Sequence, residues 1–308
     1  MFRNIARPIE LNITSEEARF FFFGDWGGIP TFPFRTTIQT KVANLMKNIS
    51  KETKVHFQLA LGDNFYSNGV KSVKDFRFNK TYENVYKDMS IPWFLILGNH
   101  DHIGNDRAQI QYTQFSKNWF LPDYNYKLTV KTHDGSQKLI FVILLDTMLL
   151  CENFSNKTIA RKNLLYVEEV LKSKYAQEHS YLIVAGHHPV WSMGQHGSVN
   201  CLVRNLRPLL HSYRVSAYLS GHEHDLEHIQ NTYLNWTVNY VVSGVSSSVY
   251  NVKANLTKIP YNSFRYFSSD VKKLGALGYA EVDSNLMNVS FIRSDGASLY
   301  NFTIPSRF

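Results

Sequence analysis

Five short blocks of this chain place metal-binding side-chain types directly after an apolar run and a glycine. They are Gly24-Asp25-Trp26-Gly27-Gly28, Gly62-Asp63-Asn64-Phe65-Tyr66, Gly98-Asn99-His100-Asp101, Gly186-His187-His188-Pro189 and Gly221-His222-Glu223-His224-Asp225. The candidate donors are the carboxylates of Asp25 and Asp63, the phenol of Tyr66, the amide carbonyl of Asn99 and the imidazoles of His187, His222 and His224. A set of oxygen and nitrogen donors without thiolate suits iron, manganese or zinc, and not copper(I) or an iron–sulfur cluster. Asp63 is a carboxylate able to bridge two cations. His222 and His224, two residues apart in an extended segment, can serve neighbouring ions. The arrangement expected is two metal ions side by side.

Each block has an ordinary explanation on its own. Asp or Asn after a strand commonly makes a turn, and most tyrosines are packing residues with a polar tip. The argument lies in the repetition, because all five blocks follow apolar runs that read as strands. Strands are expected over 19–24, 55–61, 92–97, 139–145, 181–185 and 217–219, and in the tail over 240–242, 278–282, 288–293 and 298–303. Helices are expected over 37–48, where Ile38, Val42, Leu45 and Met46 share a face, and over 163–174 and 203–212. Strand–helix alternation implies an α/β fold with a parallel or mixed sheet and helices outside. Sites in such folds form at the carboxyl ends of strands, so the five blocks should meet at one edge. No repeat, low-complexity segment or linker divides the chain, which reads as a single domain over 1–308 with a core of about 19–304.

Hydrophobic residues at 44 % and charged residues at 19 % describe a globular chain and exclude a disordered one. The formal net charge of +8 and the pI near 9.2 draw anions to the surface. No basic run and no nucleic-acid motif accompany that charge, so no nucleic-acid partner is expected. No apolar run approaches the roughly 18 residues of a membrane span. Residues 1–12 are polar, so no leader peptide is expected there.

Nine asparagines begin an N-x-Ser/Thr pattern: Asn12, Asn48, Asn79, Asn153, Asn156, Asn235, Asn255, Asn288 and Asn301. Chance at this composition gives roughly four, and the excess leans toward a secretory history and glycosylation. Cys151 and Cys201 are the only cysteines, and their spacing alone allows either one disulfide or two thiols. An oxidising compartment favours the bridge. Closing that loop would contribute about 4 kcal/mol on a chain-entropy view.

The blocks GDWGG, GDNFY, GNHD, GHHP and GHEH resemble those of purple acid phosphatases, within the calcineurin-like metallophosphatases. The small animal type, tartrate-resistant acid phosphatase, is the nearest in pattern. The likeness runs from about residue 20 to about 302 and includes AGHHPVWSMGQHG and SAYLSGHEHDLEHIQ. It implies a four-layer α/β/β/α metallophosphoesterase sandwich. It also implies an acid phosphatase that cleaves phosphate monoesters (phosphoproteins, nucleotides or small esters) by metal-activated hydroxide in line with the leaving group. By the same resemblance Asp25, Asp63, Tyr66 and His224 would hold Fe(III). Asp63 would bridge to a second ion, Fe(II), Zn(II) or Mn(II), held with Asn99, His187 and His222. Tyr66 is the diagnostic residue, since a ferric–phenolate pair gives the family its colour. His100 and His196 would face the phosphate. A monomer, secreted or lysosomal, is expected.

Two positions depart from the family pattern. His188 stands where the small animal members usually carry Tyr, and GHEHD where they often carry GHDHN. Neither touches a ligand, and both are placed to adjust substrate preference or pH profile. The segment 152–163 looks shorter than the protease-sensitive loop of mammalian members, so activation by its cleavage is not expected. The competing readings are a phosphodiesterase or nucleotide hydrolase of the wider superfamily, against which Tyr66 argues, and a non-catalytic scaffold, which would not keep all seven ligands.

Overall fold

A computed structural model describes residues 7–132, 135, 137–271 and 273–308; half of the 1–12 segment in which no leader peptide is expected, residues 1–6, lies outside them. Among the described residues fifteen strands form two sheets. The eight-stranded sheet runs β1 (Ile9–Ile13), β6 (Tyr126–Thr132), β7 (Lys138–Leu145), β8 (Tyr181–Gly186), β9 (Ala217–Ser220), β11 (Trp236–Ser243), β10 (Leu226–Tyr233), β12 (Phe264–Ser268). The seven-stranded sheet runs β15 (Ser298–Pro305), β14 (Leu286–Arg293), β13 (Ala276–Val282), β2 (Ala18–Phe23), β3 (Phe57–Ala60), β4 (Trp93–Leu95), β5 (Trp119–Phe120). Each sheet has a run of parallel strands: β2, β3, β4 and β5 at one end of the seven-stranded sheet, β7, β8, β9 and β11 in the middle of the eight-stranded one.

Strand β7 shows why the layers stack. Successive side chains of a strand point to opposite faces. Ile140, Val142 and Leu144 pack into the core shared with the seven-stranded sheet. Phe141, Ile143 and Leu145 pack the other way, against Val167, Val170 and Leu171 of helix Lys157–Leu171 and Leu202 of helix Asn200–Asn205. A strand buried on both faces reads as a continuous apolar run, which is what the sequence shows. Helix Thr37–Glu52 adds Val42, Ala43, Leu45 and Met46 to the shared core, and its first turn is capped by the Thr36 side chain accepting from the Gln39 N–H. The architecture is the expected α/β/β/α sandwich.

The structure departs from the expected elements at several points. The 203–212 helix is two, Asn200–Asn205 and Arg207–Ser212, broken at Leu206 with Pro208 in the first turn of the second. The helix expected from 163 begins at Lys157, because Asn156 accepts from the Ile159 N–H and caps it. Strands β1, β5, β6, β10 and β12 are not among the expected ones. In β10 the polar Glu227 and His228 are buried along with Leu226 and Ile229, so each face mixes one apolar residue with one polar one and neither gives a clear hydrophobic signal. Cys151 and Cys201 are joined in a disulfide.

Candidate metal centre

The blocks follow five parallel strands: β2, β3 and β4 of one sheet, β8 and β9 of the other. Their carboxyl ends meet at one edge of the sandwich. The turns are tight. Asp25, Asp63 and His222 adopt positive φ angles of 59°, 54° and 70°, a region non-glycine residues rarely occupy and one that clusters at functional sites. A Cβ at Gly98 would fall 2.2 Å from Asp63 Oδ1, and one at Gly221 would fall 2.6 Å from Asp25 Oδ2. These two glycines let the carboxylates lie against the neighbouring turns.

The candidate donors form two adjoining groups. In the first, the Tyr66 hydroxyl is 2.9 Å from Asp25 Oδ1 and 3.2 Å from His224 Nε2, and His224 Nε2 is 3.4 Å from Asp25 Oδ1. In the second, Asn99 Oδ1 is 3.1 Å from both His187 Nε2 and His222 Nδ1, which are 3.3 Å apart. Asp63 lies between the groups, with Oδ1 3.5 Å from His187 Nε2 and its charge acting on Tyr66. Donors about 2.1 Å from a common ion stand about 3 Å from one another, so these spacings fit an ion in each group. Asp25, Asp63 and His187 have ligand atoms all within 4.8 Å of one another.

The imidazoles are aimed by their far nitrogens. His187 Nδ1 is 2.8 Å from the Leu61 carbonyl. A carbonyl only accepts, so Nδ1 carries the proton and Nε2 offers its lone pair. Ser248 Oγ bonds His224 Nδ1, and Tyr250 stacks on that ring at 4.2 Å. The backbone N–H of His222 donates to Asp25 Oδ2 at 2.7 Å, leaving Oδ1 turned toward Tyr66. Burial holds His187 and His224 down at about 3 and pushes His222 well below the usual histidine range, so all three stay neutral, the form that binds metal.

Electrostatics make the same point. Burial, then the Asp63 charge, raises Asp25 well above the carboxylate range, and burial raises Asp63 to about 6. No Lys or Arg side chain pairs with either carboxylate among the described residues. Two buried carboxylates and a phenol without a protein cation are a group that could hold a metal cation.

His100 and His196 lie beside these groups. His100 Nδ1 donates to the Ser67 carbonyl at 2.5 Å, and Nε2 is 4.0 Å from Asp63 Oδ2. Both the backbone N–H and Nδ1 of His196 meet Glu223 Oε2, at 3.1 and 3.3 Å. That bond raises the His196 pKa against the opposing effect of burial. A cleft of about 380 Å³ opens over Asn99, His196 and His222, walled by Met148, Phe154, His188, Gly197 and Val199.

Supporting residues escaped sequence reasoning. Asp101 accepts from the backbone N–H groups of Asn64, Phe65 and Gly98 and from Gln109, tying the second and third blocks together. Its place three residues after Gly98 is a capping signal that could have exposed it. Buried Glu223 fastens the His196 loop. Ser248 lies 24 residues beyond His224 with nothing in the sequence to mark it. His102 sits between Asp106 and Asp146, at 3.1 and 2.7 Å; burial opposes its charge, but those bonds hold it at about 10.

The calcineurin-like phosphoesterase family pattern matches residues 18–226. Tartrate-resistant acid phosphatase type 5 from Sus scrofa is 37 % identical over 303 residues, covering 94 % of this chain and 87 % of that one. The Homo sapiens protein of the same name is also 37 % identical, with 94 % and 91 % covered. The solved structure of GAP50, the anchor in the inner membrane complex of Plasmodium, superposes with a TM-score of 0.80 at 27 % identity, covering 95 % of this chain and 90 % of that one. The chain therefore belongs to the calcineurin-like phosphoesterases, in their purple acid phosphatase branch, and is an acid phosphatase.

Proposed function

We propose that this protein hydrolyses phosphate monoesters at a dinuclear centre. Asp25, Tyr66 and His224 would hold Fe(III), Asn99, His187 and His222 would hold Fe(II), Zn(II) or Mn(II), and Asp63 would bridge the two. The observation that carries this reading is the convergence of all seven donors in two adjoining groups with no protein cation among them. Bound metals supply Lewis acidity, a water acidified toward neutral pH and a clamp on phosphate oxygens. The chain's own residues do the rest. Glu223 keeps His196 protonated at Nδ1 and turns Nε2 toward the cleft. An imidazolium there suits proton donation to the leaving oxygen at acid pH. His100, with Nδ1 committed to Ser67, presents Nε2 beside Asp63.

Secretory or lysosomal residence is supported by the disulfide and by the exposure of all nine sequon asparagines. The core shared by both sheets supports reading 19–304 as one domain. Among the described residues no helix is long and apolar enough to cross a membrane. The likeness to GAP50 favours a second reading, in which the fold serves to anchor a partner. Seven converging donors argue against it, since anchoring has no use for sealed carboxylates lacking a cation.

Metal analysis with a visible spectrum and a chromogenic monoester tests the proposal. Two metals per chain, a visible band lost in Tyr66→Phe, and faster turnover of mono- than diesters are expected. A protein that binds no metal, or a Tyr66→Phe variant with an unaltered band, rules it out.

A further inference from the structure

One titratable side chain on the cleft wall has no part in the scheme above. His188 is almost wholly buried, yet its edge lines the cleft beside Asn99, His196 and His222. Its ring is clamped. Phe154 stacks on it at 4.9 Å and 25°, and the His222 ring lies 4.4 Å away. Pro189 disfavours a helical backbone at His188, and the His188 carbonyl accepts from the Tyr218 hydroxyl at 2.7 Å.

The tautomer of His188 follows from Thr147. The His188 backbone N–H donates to Thr147 Oγ1 at 3.2 Å, and Thr147 Oγ1 lies 2.8 Å from His188 Nδ1. Thr147 is completely buried, and its hydroxyl proton meets no other acceptor among the described residues. A hydroxyl that accepts from one group and donates to another satisfies both bonds only if Nδ1 is the acceptor. The single proton of a neutral imidazole must then sit on Nε2. That nitrogen has no protein partner among the described residues and is not sealed from the cleft.

We propose that His188 is a phosphate-binding residue: a fixed, uncharged Nε2–H donor on the wall of the cleft that contacts an oxygen of the phosphoryl group. The proposal rests on the metal-centre reading, which puts the phosphoryl group next to Asn99 and His222. It adds a recognition element from a residue that holds no metal. Thr147 is the positioning residue that sets the tautomer, and Phe154 keeps the ring edge-on to the cleft.

Inorganic phosphate is the probe, and its competitive inhibition constant against a chromogenic monoester is the readout. Metal content is measured on every variant. His188→Leu removes the donor and should weaken phosphate inhibition about tenfold, as expected for a lost hydrogen bond to an anion. His188→Gln keeps an N–H donor at similar reach and should stay within about threefold of the parent. Thr147→Val removes the group that sets the tautomer and should weaken phosphate inhibition severalfold with His188 intact. Unchanged inhibition in metal-replete His188→Leu overturns the proposal, as does His188→Gln failing equally. A raised KM for the ester with an unchanged constant for phosphate also overturns it, by moving the contact to the leaving group. If His188→Leu loses metal or misfolds, Thr147→Val decides, and wild-type inhibition in that variant counts against the proposal. A parent protein that holds no metal and hydrolyses nothing brings down the metal-centre reading instead.

Discussion

The seven-stranded sheet and the eight-stranded sheet bring different chemistry to their shared edge. Asp25, Asp63, Tyr66 and Asn99 follow β2, β3 and β4, so every oxygen donor comes from the first. His187, His222 and His224 follow β8 and β9, so every nitrogen donor comes from the second. Each candidate ion would be held from both sides: Asp25 and Tyr66 with His224, Asn99 with His187 and His222. The oxygen side is anionic and strained toward neutrality, with Asp63 pushed up to about 6 by burial. The nitrogen side is neutral, with His187 and His224 held near 3 by burial. Neither sheet carries a site alone. Metal bound as proposed would therefore join the layers, and its binding energy would add to the stability of the sandwich.

The largest effect should come from the one residue both groups share. Asp63→Asn removes a bridging charge from the oxygen side and is expected to cut turnover by about a thousandfold or more, with loss of both ions. His187→Ala is the counterpart on the nitrogen side. It should abolish turnover yet keep the visible band, because Tyr66, Asp25 and His224 remain. Metal counts by elemental analysis check the pair. Two full equivalents in either variant would break the division into two groups.

His196 gives the next effect, and it sharpens the contrast from outside both groups. Its Nδ1 is committed to Glu223 and its ring lies 4.6 Å from His222. His196→Ala should lower kcat about a hundredfold while metal content stays at the parent level, the usual contribution of a positioned proton donor. An unaltered kcat removes His196 from the chemistry.

How far the sequence reveals this arrangement depends on distance along the chain. The five converging blocks were legible because each opens on a glycine at the end of an apolar strand, a local signal repeated five times. The runs of parallel strands were legible for the same reason, as in the unbroken 139–145 run. The division of oxygen and nitrogen donors between two sheets was not, because strand order places β13 beside β2 across more than 250 residues. Nor was the role of Ser248 or Glu227, where the partners come from other loops and the residue types are ordinary. Strand β10 was hidden because polar residues share its buried faces with Leu226 and Ile229: Glu227 accepts from Ser192, Met193 and Gly194 instead of packing against apolar side chains.

The metal-free protein offers a test of the oxygen side against the nitrogen side without mutation. Asp63 has a folded pKa of about 6 against an ordinary carboxylate value of 3.8. A carboxyl raised on folding contributes its full stability below the unfolded value and loses it as pH rises through the folded one. The metal-free protein should therefore lose about 3 kcal/mol between roughly pH 4 and pH 6 from this group alone. Burial depresses the folded histidines to about 3, so in the folded protein they stay neutral across that window. The unfolded chain protonates them below about 6.5, which costs stability on the acid side, in the opposite sense to Asp63. The metal-dependent gain, and not the metal-free stability itself, isolates the carboxylates. Added metal should raise the Tm more at pH 7 than at pH 4. Equal Tm gains at both pH values would show that the carboxylates are not the groups under strain.

The smallest effect concerns a single hydrogen bond on the nitrogen side. Ser248 bonds His224 Nδ1 and so fixes which nitrogen faces Asp25 and Tyr66. Partners that orient a metal-bound imidazole typically contribute ten- to a hundredfold in affinity. Tyr250 also stacks on this ring, so part of the orientation survives without the hydroxyl, and Ser248→Ala should weaken the ion beside Tyr66 by only about tenfold. The ion beside Asn99 should be unaffected, because His187 is oriented by the Leu61 carbonyl and not by this loop. Competition with a chelator, followed through the visible band for the ion beside Tyr66 and by elemental analysis of the second metal retained for the ion beside Asn99, separates the two. Parallel weakening of both would show that Ser248 acts through the fold of its loop and not through the His224 ring.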